Sequence, residues 1–204
     1  MPKSLPPIQN KIREHKNVYI LGHRYMDADA FGGCLVASKI ALACGAKPKI
    51  IIDEEYIDAT VKEIYSTLKY SYASSINEFV SGNYALKEIK ENDLLIIIDC
   101  QYQKLLMNDR VYKKAKYIAI IDHHRRNTEA ILNFDFIYTQ PSASSSVELL
   151  VEMLDYVDDD KYEITPDEAT WMIMGVLVDT NNFMFHTTYR TFNVLSKLQK
   201  FGAE

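Results

Sequence analysis

Two short runs in this chain are too apolar to alternate between a buried and an exposed face. Leu94–Ile98 (LLIII) and Tyr117–Ile121 (YIAII) place hydrophobic side chains on both faces of any strand that they form. Strands of this kind are typical of a parallel sheet that is covered by helices on both faces. The two runs therefore predict the centre of an α/β sheet.

The chain alternates such runs with segments of helical spacing. β-Branched runs at Val18–Leu21 and Lys49–Ile52 are followed by helical patterns at Ala28–Cys44 and Asp58–Leu68. This alternation is the signature of βαβ units. It predicts a doubly wound α/β fold, with a mostly parallel sheet flanked by helices.

The last third of the chain is predicted to be helical. Ser145 and Thr165 each precede a glutamate by three residues, which is the pattern of a capping box. They predict helices over Val147–Tyr156 and Pro166–Val178. Residues 69–92 have no clear periodicity and predict mixed structure.

Length and composition fit one soluble domain. The chain has 204 residues, 48% of them hydrophobic and 25% charged, which is enough for one packed core. We expect a lead-in segment at residues 1–16 and the domain at residues 17–204.

The three cysteines lack CxxC spacing, which argues against disulfides and a thiolate zinc site and favours the cytoplasm. A net charge of −5 argues against a long nucleic-acid duplex as partner.

Acids and histidines follow three of the predicted strands. They are His23, Asp27 and Asp29 after the first strand, Asp99 after the run 94–98, and Asp122, His123 and His124 after the run 117–121. Asp179 follows the last predicted helix. Ligands of an open parallel sheet bind outside the carboxyl ends of the strands. We therefore expect these side chains to converge on one site.

Five aspartates in one place would raise one another's pKa values unless cations neutralised them. Oxygen and imidazole ligands without thiolate suit manganese, magnesium or non-haem iron better than structural zinc. Because the carboxylates exceed what one ion needs, we expect two divalent ions, bridged by an aspartate and by a water or hydroxide. This chemistry indicates hydrolysis of a phosphate ester or anhydride, and Arg24, Arg125 and Arg126 supply the cations that an anionic substrate requires.

These residues resemble the successive motifs of the DHH phosphoesterase superfamily. The motifs are His23-x-x-x-Asp27-x-Asp29, Asp99 at the end of an isoleucine-rich strand, Asp122-His123-His124-Arg125, and Asp179. Within the superfamily the chain is most similar to the GdpP-type cyclic-di-AMP phosphodiesterases, and the segments 142–148 and 190–192 add to the likeness. The resemblance covers nearly the whole chain.

The resemblance implies a role for each matching position. One manganese ion would be bound by His23, Asp27 and Asp179, the second by Asp29 and His123, and Asp99 would bridge them. Asp122 would orient a histidine, and with His124 it makes up the predicted catalytic pair. The predicted substrate-binding residues are Arg125, Arg126, Ser144, Ser145 and Arg190. The serines serve equally well as helix caps, so both interpretations stay open.

The implied function is hydrolysis of cyclic di-AMP to pApA by a bacterial manganese-dependent phosphodiesterase of nucleotide signalling. The alternatives are a hydrolase of short oligoribonucleotides, an inorganic pyrophosphatase, and a metal-loaded module that binds a nucleotide without cutting it.

The chain departs from the family pattern in two places. Cys100 and Gln101 follow Asp99 where the pattern usually has Thr-His, and the 204 residues have no counterpart of the family's glycine-rich C-terminal substrate domain. We therefore expect the catalytic half of a longer protein that is anchored to the membrane. The resemblance also allows a homodimer.

Overall fold

The structure of the protein is a computed structural model that describes residues 8–68 and 77–204. Six strands in this part of the chain form one sheet: β1 (Asn17–Leu21), β2 (Lys47–Ile51), β3 (Phe79–Val80), β4 (Leu94–Ile98), β5 (Tyr117–Asp122) and β6 (Phe136–Thr139). Their order is β3-β2-β1-β4-β5-β6, and every neighbouring pair is parallel. The predicted α/β fold is confirmed, and the described sheet is parallel throughout.

The helices of the described residues connect these strands and cover them. They are α1 (Ile8–Arg13), α2 (Ala28–Ala43), α3 (Ala59–Leu68), α4 (Gly82–Glu88), α5 (Asp109–Lys114), α6 (Ser146–Met153), α7 (Pro166–Asp179) and α8 (Tyr189–Lys200). Every residue of β4 is buried, as the apolar run predicts. Over residues 8–68 and 77–204, none of the helices has both the length and the apolar character that crossing a bilayer requires.

The strand order places the predicted site at a topological switch point. β1 pairs with β2 on one side and with β4 on the other. From β1 the chain adds β2 and β3 toward one edge of the sheet, and from β4 it adds β5 and β6 toward the other edge. Leu21 lies opposite Ile97, and Ile98 lies opposite Ile121. The residues that follow β1, β4 and β5 therefore emerge at the same edge of the sheet, where ligands of such folds bind.

Several boundaries differ from those predicted. The helix that begins after Ser145 ends at Met153 and continues as a 3₁₀ turn over Leu154–Tyr156. β6 has no matching prediction, because its four residues are all half-buried at the edge of the sheet and give no apolar run. In the stretch predicted as a lead-in, α1 buries Ile8 in the core. Within the stretch predicted as mixed, residues 69–76 lie outside the described part of the chain.

Helices α2 and α7 approach each other closely at a glycine. A Cβ placed on Gly175 would lie 2.8 Å from the carbonyl oxygen of Ala28 and 2.9 Å from the Cα of Asp29. Farther along the same helices, the buried Lys39 Nζ lies 2.7 Å from Glu168 Oε1. The position of Asp29 therefore depends on the packing of α7 against α2.

We expect Gly175→Ala to destabilise the protein by about 1–3 kcal/mol, because the added methyl group meets backbone atoms that cannot rotate away. Urea-induced unfolding measures the change. The matched control is Gly22→Ala, whose methyl group would meet the end of the flexible Met26 side chain, 2.5 Å away. Equal stability of the two variants would contradict the close contact.

Candidate functional site

The structure brings the predicted metal-binding side chains together at the carboxyl ends of β1, β4 and β5. They form three groups in which the possible ligand atoms lie within 4.8 Å of one another. The groups are His23 with Asp27 and Asp99, Asp29 with His123 and Asp179, and Asp99 with His123 and His124. Because Asp99 and His123 each belong to two groups, the three form one continuous cluster, which we call the carboxylate cluster.

Asp99 lies at the centre of the carboxylate cluster. Its backbone has a φ of 55°, in the left-handed region that few residues other than glycine adopt, and its N–H donates to the carbonyl of Ile121 at 2.9 Å. Its Oδ2 lies 3.5 Å from His23 Nε2, and its Oδ1 lies 3.4 Å from His123 Nε2. The left-handed backbone of Asp99, directly after β4, therefore directs this carboxylate between His23 and His123.

The N-terminus of α6 holds two of the carboxylates. The backbone N–H groups of Ser146 and Val147 donate to the two oxygens of Asp29, at 2.7 Å and 2.9 Å. The hydroxyl of Ser146 donates to Asp99 Oδ1 at 2.9 Å. Unpaired N–H groups and the helix dipole stabilise an anion at this end of a helix. The anion here is the protein's own Asp29.

Ser146 is a residue that the sequence analysis missed. Its signal was the serine run before α6, which we interpreted as a cap or a phosphate contact. The chain itself gives no sign that Asp29, more than a hundred residues earlier, supplies the anion.

Two histidines of the cluster, His23 and His124, each have a hydrogen-bond partner on Nδ1 that sets the orientation of the ring. His23 Nδ1 hydrogen-bonds the carbonyl oxygen of Arg24 at 2.9 Å, which turns Nε2 toward Asp27 and Asp99. This arrangement is typical of metal-binding histidines, whose second ring nitrogen is held by a neighbouring acceptor.

Asp122 holds His124 in a similar way. The buried Asp122 Oδ1 accepts from the backbone N–H of His124 at 3.0 Å and lies 2.8 Å from its Nδ1. The side chain of Gln101, also buried, donates to the carbonyl of His124 at 2.9 Å. Gln101 was not among the predicted site residues, yet with Asp122 it fixes the backbone from which His124 projects.

The electrostatics of the cluster show how strongly it favours cations. Burial raises the pKa of Asp29, and the nearby Asp99 and Asp179 raise it further. Burial alone would lower the pKa of His123, but hydrogen bonds to Asp179 and Asp99 outweigh it and raise the pKa to about 11. His23 is likewise raised to about 11, because its bonds to Asp27 and Asp99 outweigh burial. Positive charge placed among these carboxylates is therefore stabilised, as a divalent ion would be.

Asp179 is grouped differently from what the resemblance implies. Its Oδ2 lies 2.9 Å from His123 Nε2, in the group that contains Asp29. The resemblance implies a place beside His23 and Asp27. Which ion Asp179 would bind stays a prediction.

The predicted arginines lie in different surroundings. Arg126 donates to the carbonyl of Ile131 at 2.8 Å and lies over the ring of Phe134. Arg190 donates twice to the carboxylate of Glu152, at 2.8 Å and 2.7 Å. The side chain of Arg125 is exposed. The structure does not bring Arg125, Arg126 or Arg190 into the walls of the cavity described below, and their substrate-binding role stays a prediction.

The predicted serines also have partners within the protein. Ser145 accepts from the backbone N–H of Glu148 at 3.0 Å and caps α6, while Ser144 donates to Glu148 Oε2 at 2.5 Å. Thr191 donates to the same Glu148 oxygen at 2.7 Å. Glu148 therefore does not return a bond to Ser145, and the expected capping box is half formed. A substrate contact by either serine stays a prediction.

A cavity of about 300 Å³ opens onto the carboxylate cluster. Its walls are His23, Arg24, Asp27, Asp99, Cys100, Tyr102, Leu105, Asp122, His124 and Asp179. Burial raises the pKa of Cys100 to about 12, so its thiol stays protonated at neutral pH. A small anionic group could enter this cavity and meet the carboxylates only if cations lay between them.

The comparisons with known proteins agree on one family. Residues 17–176 match the DHH family, N-terminal domain. The chain is 35% identical over 195 residues to a membrane protein-large ribosomal subunit bL9 fusion protein of onion yellows phytoplasma. It is 34% identical over 193 residues to the cyclic-di-AMP phosphodiesterase GdpP of Bacillus subtilis. Each match covers 95% of this chain, which spans 23% and 29% of those relatives' lengths.

A solved structure shows the same fold at lower identity. An exopolyphosphatase-related protein from Bacteroides fragilis superposes with a TM-score of 0.77 and 19% identity. The match covers 100% of this chain and 59% of that one. At this identity the likeness supports the fold alone.

We expect Ser146→Ala to weaken Mn²⁺ binding by about tenfold or more, because Asp99 loses the hydroxyl that holds one of its oxygens. Isothermal titration calorimetry with Mn²⁺ measures the affinity without any substrate. The control is Ser66→Ala on the exposed face of α3, where the hydroxyl donates to the carbonyl of Glu63 in the same helix, and this variant should bind Mn²⁺ as the wild type does. Unchanged affinity in Ser146→Ala would show that this hydroxyl does not position Asp99.

Proposed function

The chain belongs to the DHH family, and we propose that it is the catalytic half of a manganese-dependent phosphodiesterase that hydrolyses cyclic di-AMP to pApA. The observation that carries the proposal is the carboxylate cluster, in which Asp99 is shared between two groups of possible ligands. The substrate is proposed from the 34% identity to a relative named as a cyclic-di-AMP phosphodiesterase. Because this chain spans 29% of that relative, the activity of the whole protein is part of the proposal.

Two ions would fit the donor set of the cluster. His23 and Asp27 would hold one ion and Asp29 and His123 the other, with Asp99 between them and Asp179 completing the set. All the donors are carboxylate oxygens or imidazole nitrogens, which suit manganese. When bound, such ions stabilise charge on a phosphoryl group and activate water.

The chain's own residues would then bind and orient the phosphate. Asp122 holds the ring of His124 at the wall of the cavity, and Gln101 holds its backbone. His124 is thereby positioned to contact a phosphate oxygen that lies over the carboxylate cluster. Arg24 lines the same cavity and supplies positive charge, which an anionic diester requires, and the exposed Arg125 would add to it.

We expect the wild-type protein to convert cyclic di-AMP to pApA in Mn²⁺, and we expect Asp99→Asn to lower the turnover by about a hundredfold or more. The amide keeps the shape of the side chain but removes the charge from the centre of the cluster. Separation of the nucleotides by liquid chromatography measures the product. Asp155→Asn, an exposed aspartate that pairs with Lys197, is the control and should leave the rate unchanged. Full turnover in Asp99→Asn would refute the proposed site.

The same assay distinguishes the alternatives when pApA and inorganic pyrophosphate are supplied in parallel. Preferred turnover of pApA would identify a hydrolase of short oligoribonucleotides, and preferred turnover of pyrophosphate would identify a pyrophosphatase. Tight binding of the nucleotide with no product in Mn²⁺ would identify a binding module.

A further inference from the structure

Arg24 lies between the cavity of the carboxylate cluster and a larger groove. It is the lining residue that the 300 Å³ cavity and a neighbouring groove of about 700 Å³ share. We call the latter the Arg24 groove, after a lining that includes Arg24, Tyr56, Asn83, Lys104, Asn108 and Arg110. Arg24 is therefore within reach of a ligand that occupies both the cavity and the Arg24 groove.

The guanidinium of Arg24 is held in place before any ligand arrives. The backbone N–H of Arg24 donates to the carbonyl of Leu105 at 2.6 Å, and its guanidinium carbon lies 4.2 Å from the centre of the Tyr56 ring. Tyr56 is itself fixed, because its carbonyl accepts from the N–H of Met26 at 3.1 Å and its ring packs against the core. A cation on such a platform loses little conformational entropy when it binds an anion.

Positive charge in the Arg24 groove is only partly compensated. In residues 8–68 and 77–204, no ion pair joins Arg24, Lys104 or Arg110 to a carboxylate. Lys113, which also lines the groove, pairs with Asp109 at 2.6 Å. Arg24, Lys104 and Arg110 therefore remain as cations available to a ligand.

The acids of the groove are mostly engaged. Asp53 accepts from the N–H of Gly82 at 2.8 Å and from Asn108 Nδ2 at 3.3 Å. Glu55 is exposed. The lining therefore has four cations, Arg24, Lys104, Arg110 and Lys113, against three carboxylates, Asp53, Glu55 and Asp109. The balance favours an anionic ligand.

We propose that the Arg24 groove binds the second phosphate of a dinucleotide, the one that is not cleaved, with the Arg24 guanidinium as its main contact. This inference rests on the proposed function, because it assumes that the scissile phosphate occupies the cavity of the carboxylate cluster. A guanidinium presents paired donors that match two phosphate oxygens. The volume of the groove lies within the range of small-molecule sites, which leaves room for a nucleoside beside the phosphate.

The test compares substrates that have one and two phosphates. Because Arg24 borders both the cavity and the groove, we expect Arg24→Ala to raise KM for cyclic di-AMP about tenfold and KM for bis(p-nitrophenyl) phosphate clearly less, by about threefold or below, with little change in kcat for either. Tyr56→Leu removes the platform and keeps the cation, so we expect a smaller rise in KM for cyclic di-AMP only. Arg13→Ala in α1 removes an exposed arginine that bonds Asn10 and is the charge-matched control.

A binding measurement separates failure of this inference from failure of the proposed function. Calorimetry with Ca²⁺ in place of Mn²⁺, which suppresses turnover, gives the affinities for pApA and AMP. If the wild type does not cleave cyclic di-AMP but Arg24→Ala still weakens the binding of pApA more than that of AMP, the proposed substrate is wrong and the assignment of the groove is supported. Equal effects on one-phosphate and two-phosphate ligands, no effect on either, or no binding of pApA to the wild type would each overturn the groove assignment.

Discussion

The burial of several carboxylates in one place is the constraint on which the rest of this structure depends. Asp29, Asp99 and Asp122 are all nearly inaccessible to solvent, and an ionised carboxylate without partners is costly in such surroundings. The protein compensates each one differently. Asp29 has two backbone N–H groups at the start of α6, Asp99 has the hydroxyl of Ser146 and two histidines, and Asp122 has the N–H and ring of His124. The charge that remains is what divalent cations would neutralise.

The fold stabilises these buried carboxylates by bringing together helices and strands that are far apart in the sequence. α2 carries Asp29 in its first turn, α7 presses against that turn at Gly175, and α6 points its N-terminus at the same carboxylate. The parallel sheet brings Asp99 and Asp122 to the same edge, because β4 and β5 pair with Ile98 opposite Ile121. The carboxylate cluster is thus held by a rigid scaffold, which favours a preorganised site.

Sequence reasoning went furthest where the signal was local or repeated. The apolar runs predicted β4 and β5, and Thr165 predicted the start of α7 through a capping box that the structure contains in full. The acids after the strands pointed to a shared edge. Ser146 and Gln101 were missed because their partners, Asp29 and His124, lie far away along the chain. The edge strand β6 was missed because half-buried residues leave no periodic pattern.

The sequence by itself determined the class of the fold, through the apolar runs of its strands, and the residues that supply carboxylates and imidazoles, through their positions after those strands. The family followed from the resemblance of these short motifs to those of the DHH superfamily. All of these signals lie in short stretches of chain. Only the tertiary structure decided which oxygen faces which nitrogen, that the N-terminus of α6 holds Asp29, and that Arg24 rests on Tyr56 beside a second groove. Such pairings depend on how helices cross and how loops after different strands meet. The physical reason is that hydrogen bonds and ion pairs act over a few ångströms in space, whatever the separation of the residues in the sequence.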